Sequence, residues 1–278
     1  MTIISEEAAV QVSVHLDYVL GALPLEDRFR TARLLGFTAV EFPFPYSVPA
    51  ARYRQLLVSN GLSQITLGAP ASDYKSGMPG YSLTPELKTQ FDESITTAID
   101  YAHRIGCRRV HVFAGARAAD VSPSLAFDTY CSNLAIAYDR LAEADLQLVI
   151  EPVNSTDFAG YFLDRLDLAV RAIDRAERPG IGIILDVYHA AVNREDPVAF
   201  LRSSPDRVSH IQLADFPGRH EPGTATLDFS ALFAALSETG YKGSVGLEYI
   251  PTRSILSGIP VATELGLRAG PVHSAGAR

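Results

Sequence analysis

IGIILDVYHAAVNREDPVAFLRSSPDRVSHIQL, residues 181–213, is the stretch on which the fold turns. It opens on an apolar run of strand length, IGIILD (181–186), and closes on another, VSHIQL (208–213). A helical pattern near 196–202 lies between them. Strand, helix, strand in that compass is a βαβ unit, whose strands lie parallel. The alternation continues in both directions. Upstream stand QVSVHL (11–16), TAVEF (38–42), SQITL (63–67), RRVHVF (108–113) and LQLVIE (146–151), and downstream SVGLEY (244–249), eight strands in all. Helical patterns near 25–35, 49–60, 85–105, 123–143, 163–176 and 228–239 fall between them. In the 85–105 segment, Leu87, Phe91, Ile95, Ala98 and Ala102 take the spacing of one buried face. A Gly-, Pro- and Ser-rich loop over 68–84 delays that helix, and a last helix after Pro251 is weakly patterned.

Eight β/α pairs in 278 residues match a single α/β domain of the (β/α)8 TIM-barrel kind, which takes roughly 250 residues. The rival is an open doubly wound sheet. Such sheets usually carry GxGxxG after the first strand or a P-loop, and neither motif is present. The expected organisation is one TIM-barrel domain over 1–268 and a flexible C-terminal tail over 269–278.

Composition narrows the class of function. The chain has 24 basic and 32 acidic side chains, a formal charge of −8, and no run of Lys or Arg. That argues against a nucleic-acid face and for a solvated acidic surface. Hydrophobic residues at 47% supply a core that folds without disulfide or metal staples. Cys107 and Cys131 lack metal-ligand spacing and read as reduced thiols. The start, MTIISEEAAV, has neither the basic nor the apolar part of a signal peptide, and no apolar run is long enough for a membrane span. A cytoplasmic protein without membrane or nucleic-acid partners is expected, with a homo-oligomer left open.

The informative feature is where polar residues interrupt the strands. Leu148-Val149-Ile150 is followed by Glu151, and Ile183-Ile184-Leu185 by Asp186. Gln212 stands between Ile211 and Leu213, and Glu248 between Leu247 and Tyr249. In a barrel the C-terminal strand ends surround the active site, so four consecutive strands each deliver one oxygen ligand to that rim. A single acid at a strand end commonly caps the next helix or pairs with a base. Three carboxylates and an amide together would repel unless a cation offset them. Oxygen-only ligands suit one divalent metal ion, Mg²⁺ or Mn²⁺, over Zn²⁺. His189, three residues past Asp186, and Arg219, in the rim loop ADFPGRHEPG, are placed to bind the oxygens of a small hydroxycarbonyl or sugar-acid substrate. His210 shares the Gln212 face one layer deeper and, like His111, reads as a hydrogen-bonded core histidine. Lys75 and Lys242 read as solvated.

GFTAVEFPFPY (36–46), RRVHVFAG (108–115), LVIEPVN (148–154), GYFL (160–163), ILDVYH (184–189) and SHIQLADFPGRHEPGT (209–224) resemble hydroxypyruvate isomerase and its relatives. These belong to the xylose-isomerase-like TIM-barrel superfamily, and the resemblance runs from about 11 to 251. It implies that Glu151, Asp186, Gln212 and Glu248 are metal ligands and that Glu151 and Glu248 are also the catalytic acid/base pair. It implies substrate contacts for His189 and Arg219. Gln212 replaces the His common in epimerase relatives and so favours the hydroxypyruvate isomerase branch. There are departures: Gly68-Ala69-Pro70 replaces a usual Asn-Ala-Pro, Gly77-Met78-Pro79-Gly80 replaces a Gly-acid-Arg-Gly turn, Ala190-Ala191 replaces Met-Gln, and VSVHLDY replaces an Asn-containing first strand.

The implied activity is a metal-dependent aldose–ketose type isomerisation through a cis-enediolate. A ketose 3-epimerase and an inosose-type dehydratase are alternatives on the same scaffold. A non-catalytic sugar-acid binding protein is the alternative of another class, against which both glutamates stand.

Overall fold

The computed structural model describes residues 10–71, 80–252 and 254–265. The apolar runs become strands β1 (Gln11–His15), β2 (Ala39–Glu41), β3 (Ser63–Gln64), β4 (Leu67–Gly68), β5 (Arg109–His111), β6 (Gln147–Ile150), β7 (Gly182–Asp186), β8 (Val208–Leu213) and β9 (Ser244–Leu247). All pair in parallel, in the order β3-β2-β1-β9-β8-β7-β6-β5-β4. The two ends of that order, β3 and β4, are halves of one segment interrupted only at Ile65 and Thr66. The sheet therefore closes on itself through 63–68 and forms an eight-staved TIM barrel. An open sheet would leave its end strands on separate edges.

Around the barrel run α1 (Leu25–Leu34), α2 (Ala50–Ser59), α3 (Lys88–Ile105), α4 (Pro123–Glu143), α5 (Leu166–Ala176), α6 (Val187–Val192), α7 (Pro197–Ser203), α8 (Phe229–Glu238) and α9 (Ile259–Glu264). Their starts are written locally. Ser122 before Pro123 caps α4, Asp196 before Pro197 caps α7, and Asp228 caps α8. Each side-chain oxygen takes a backbone N–H that the helix itself leaves unpaired. The apolar faces of the helices bury against the outer side of the sheet; on α3 the buried set includes Phe91, Ile95, Ala98 and Ala102. Leu87 does not join them: it lies in the 3-10 turn Pro85–Leu87 ahead of α3 and is not fully buried. No helix among the described residues is long and apolar enough to cross a membrane.

One element was not expected. His189 lies not in a loop but in the first turn of α6, which starts directly from the end of β7. Asp186 makes this abrupt turn possible: its Oδ1 accepts N–H groups from Tyr188 (2.7 Å) and His189 (3.2 Å). The expected tail over 269–278, Lys75 and Gly77 to Pro79 lie outside the described residues; Lys242 is exposed.

Candidate active site

At the C-terminal mouth of the barrel the four polar strand ends meet. Glu151 follows β6, Asp186 ends β7, Gln212 sits in β8 and Glu248 follows β9; all four are buried and three of them, Glu151, Gln212 and Glu248, line one pocket. The pocket is also lined by Tyr18, Glu41, His111, Phe113, His189 and Arg219.

Arg219, on its wall, bridges two of the acids. The Nη2 group donates to Asp186 Oδ2 at 2.9 Å and to Glu248 Oε1. Its guanidinium lies over the Tyr18 ring at 4.4 Å and near that of Tyr188 at 5.2 Å. The loop must turn sharply to bring this side chain inward: Gly218 and Arg219 both take positive φ, +99° and +56°. Arg219 is only 5% exposed, so burial opposes its charge, but Asp186 and Glu248 outweigh that and hold the guanidinium firmly protonated.

The carboxylates respond to the same crowding. Burial, then the charges of Glu248 and Asp186, push Glu151 well above the usual carboxylate range. Burial raises Glu248 likewise, with Arg219 opposing, and raises Asp186. Burial thus opposes ionisation of all three acids, and Arg219 is the charge that works against it.

His189 is oriented by a residue that sequence reasoning missed. The Asn154 backbone N–H (3.4 Å) and side-chain amide (2.6 Å) both approach His189 Nδ1. That amide also donates to Asp157 Oδ2, so its nitrogen is the end turned to the ring. Arg219 Nη1, which can only donate, lies 3.2 Å from Nε2, so both ring nitrogens of His189 face donors. Burial, reinforced by Arg219, keeps His189 neutral. Glu151, Asp186 and His189 bring ligand atoms within 4.8 Å of one another.

Gln212 shows the opposite need. Its Nε2 donates to Glu41 Oε2 (2.9 Å) and to Glu248 Oε2, while its Oε1 is buried with no hydrogen-bond partner among the described residues. A buried acceptor without a donor is costly unless something electropositive meets it. Glu41 is the other missed residue, although it interrupts TAVEF as visibly as Glu151 interrupts its own strand. Burial works to raise Glu41, but His210, His15 and Ser13 hold it down to about 2. His210 is a fully buried core histidine, with Nδ1 3.0 Å from the Ser244 carbonyl. His111 instead reaches the pocket wall, with Nδ1 3.6 Å from Glu151 Oε2. The expected ligand quartet and both expected substrate contacts thus come together at one mouth.

A closed barrel with an acidic rim and a buried arginine defines a class, and comparison agrees. The family model described as Xylose isomerase-like TIM barrel matches residues 29–267, and the chain belongs to that family. Within it, a 2-oxo-tetronate isomerase of Cupriavidus necator is 36% identical, over 84% of this chain and 90% of that protein. A hydroxypyruvate isomerase of Escherichia coli is 30% identical, over 93% of this chain and 97% of that one. A structure from Brucella melitensis named AP endonuclease, family 2, superposes with a TM-score of 0.87 at 30% identity, covering 91% of this chain and 98% of that one.

Proposed function

We propose that this protein is a divalent-metal-dependent isomerase of a small 2-oxo acid that carries a hydroxyl next to its carbonyl. The observation that carries the reading is the convergence of Glu151, Asp186, Gln212 and Glu248 on one buried site with the Arg219 guanidinium among them. The relatives' names support it, since hydroxypyruvate and 2-oxo-tetronate are both 2-oxo acids with hydroxylated carbon beside the carbonyl.

The residues fit a metal. Three carboxylates and an amide oxygen are hard donors suited to Mg²⁺ or Mn²⁺, and the partnerless Gln212 Oε1 is the acceptor such an ion would satisfy. When bound by these four residues, the ion would supply Lewis-acid polarisation of the substrate carbonyl. The chain's own groups do the rest. Arg219, the one buried Arg or Lys lining the pocket among the described residues, is suited to fork onto the substrate carboxylate. The neutral His189 ring lines the pocket and is suited to hydrogen-bond a substrate hydroxyl. One of Glu151 and Glu248 takes the proton from the hydroxyl-bearing carbon, and the carbonyl electron pair moves to oxygen to give an enediolate. The other returns a proton to the former carbonyl carbon, while the hydroxyl proton passes between the two oxygens. Tyr18, Phe113 and Phe158 wall the pocket and limit water around the enediolate.

The test is protein loaded with Mn²⁺ or Mg²⁺ and incubated in D₂O with hydroxypyruvate, a four-carbon 2-oxo acid and neutral ketoses. Deuterium entering the carbon beside the carbonyl of the acids, with little entering the ketoses, is the expected result. Preferential labelling of ketoses would move the reading to an epimerase. Bound metal without exchange into any substrate would move it to a binding protein. Glu151→Gln and Glu248→Gln should each abolish exchange in a folded protein.

A further inference from the structure

We infer that Glu41 is a positioning residue: it acts through Gln212, orienting that amide so that its oxygen faces the metal site. The inference rests on the metal reading above and adds a residue outside the ligand quartet.

Glu41 closes β2 on the far side of β1 from Glu248, and its side chain turns into the barrel with no exposure to solvent. It is clamped from three strands. Ser13 of β1 donates its hydroxyl to Glu41 Oε1 at 2.5 Å. From β8, Gln212 donates Nε2–H to Glu41 Oε2 at 2.9 Å, and His210 Nε2 lies 3.0 Å from the same oxygen, off hydrogen-bond geometry. From β9 comes a cradle: a Cβ built on Gly246 would overlap Glu41 Oε1 and lie 3.1 Å from His210 Nε2. Glycine inside a strand usually marks a close approach, and here the carboxylate fills the space a side chain would need.

The consequence for Gln212 follows from donor and acceptor chemistry. The Gln212 Nε2, the donor end of the amide, is already placed on one oxygen of Glu41 and one of Glu248. The amide oxygen then points the other way, where Oε1 is buried and without a partner among the described residues. Without Glu41, only Glu248 would favour this rotamer, and Glu248 is itself expected to turn toward the metal. An amide free to flip would present NH₂ to a cation. Residues that orient metal ligands in this way typically govern affinity by about 10–100-fold.

Mn²⁺ binding to the full chain, followed by the EPR signal of free Mn²⁺ and by calorimetry, tests this. Glu41→Gln supplies both a donor and an acceptor and so removes the constraint. It should weaken Mn²⁺ binding by about 10–100-fold and alter the bound-Mn²⁺ spectrum. In a Gln212→Ala background the same substitution should change neither readout. Ser13→Ala removes one clamp while leaving charge and volume nearly intact; it should weaken binding by about fivefold, and it decides the matter if Glu41→Gln does not fold. Wild-type affinity in both Glu41→Gln and Ser13→Ala overturns the proposal, as does an equal loss with and without Gln212. Wild-type protein that takes up no Mn²⁺ overturns the metal reading and this proposal with it, whereas uptake insensitive to Glu41 overturns this proposal alone.

Discussion

Arg219 is where charge is most concentrated, since one buried guanidinium faces two carboxylates and two aromatic rings. Arg219→Met should destabilise the metal-free protein by about 3–5 kcal/mol in urea unfolding, because it strands Asp186 and Glu248 without their counter-charge. Added Mn²⁺ should recover part of that loss. A variant as stable as wild type without metal would show that the two acids are neutral there. The site histidines give a second test. Burial lowers His15 from 6.5 to about 4 and His111 from 6.5 to about 3. The unfolded chain takes up these protons as pH falls below 6.5 while the folded chain does not, so each histidine subtracts stability across that window. Ring nitrogen NMR shifts at pH 5.5 should report both as neutral; an imidazolium at either position would contradict the burial argument.

At the scale of the element, the rim loop after β8 depends on one carboxylate. Asp215, fully buried, accepts backbone N–H groups from Phe216, Gly223, Ala225, Thr226 and Leu227 at 2.8–3.0 Å. Glu221 ties the same loop to the segment after β9 by accepting from the Thr252 backbone and hydroxyl. The loop therefore holds its shape through its own acids, and that shape carries Arg219 inward. Asp215→Asn offers one acceptor oxygen in place of two. Proteolytic cleavage within 216–226 should become faster, and turnover should fall by at least about tenfold through misplacement of Arg219. Unchanged cleavage with unchanged turnover would mean that the turn residues alone hold the loop.

Across the whole molecule, the packing of helices on the barrel buries both thiols, Cys107 between α3 and β5 and Cys131 on α4. Burial raises Cys107 to about 12 and Cys131 to about 11, so each is protonated at pH 8 and sheltered from reagent. Neither should react with a disulfide reagent in the native protein at pH 8, and both should react once urea unfolds the chain. Labelling then becomes a gauge of barrel opening. Fast native labelling of either thiol would show that the α3–β5 junction or α4 opens locally.

Much of this was already present in the order of residues. Apolar runs alternating with amphipathic segments specify the barrel, because each strand must bury both faces and each helix one. Glu151, Asp186, Gln212 and Glu248 stand out because a polar residue ending an apolar strand needs a purpose. Linear reading fails where the purpose lies in another strand. Glu41 carries the same signal, but its partners Ser13, His210, Gln212 and the space at Gly246 come together only when β1, β2, β8 and β9 close. Asn154 holds the His189 ring from another strand end, and Asp186 turns an expected loop into a helix start. The sequence by itself determined which groups could do chemistry, since periodicity and polarity are local properties. The tertiary structure decided which way those groups point, since hydrogen-bond direction is set by neighbours distant in the chain.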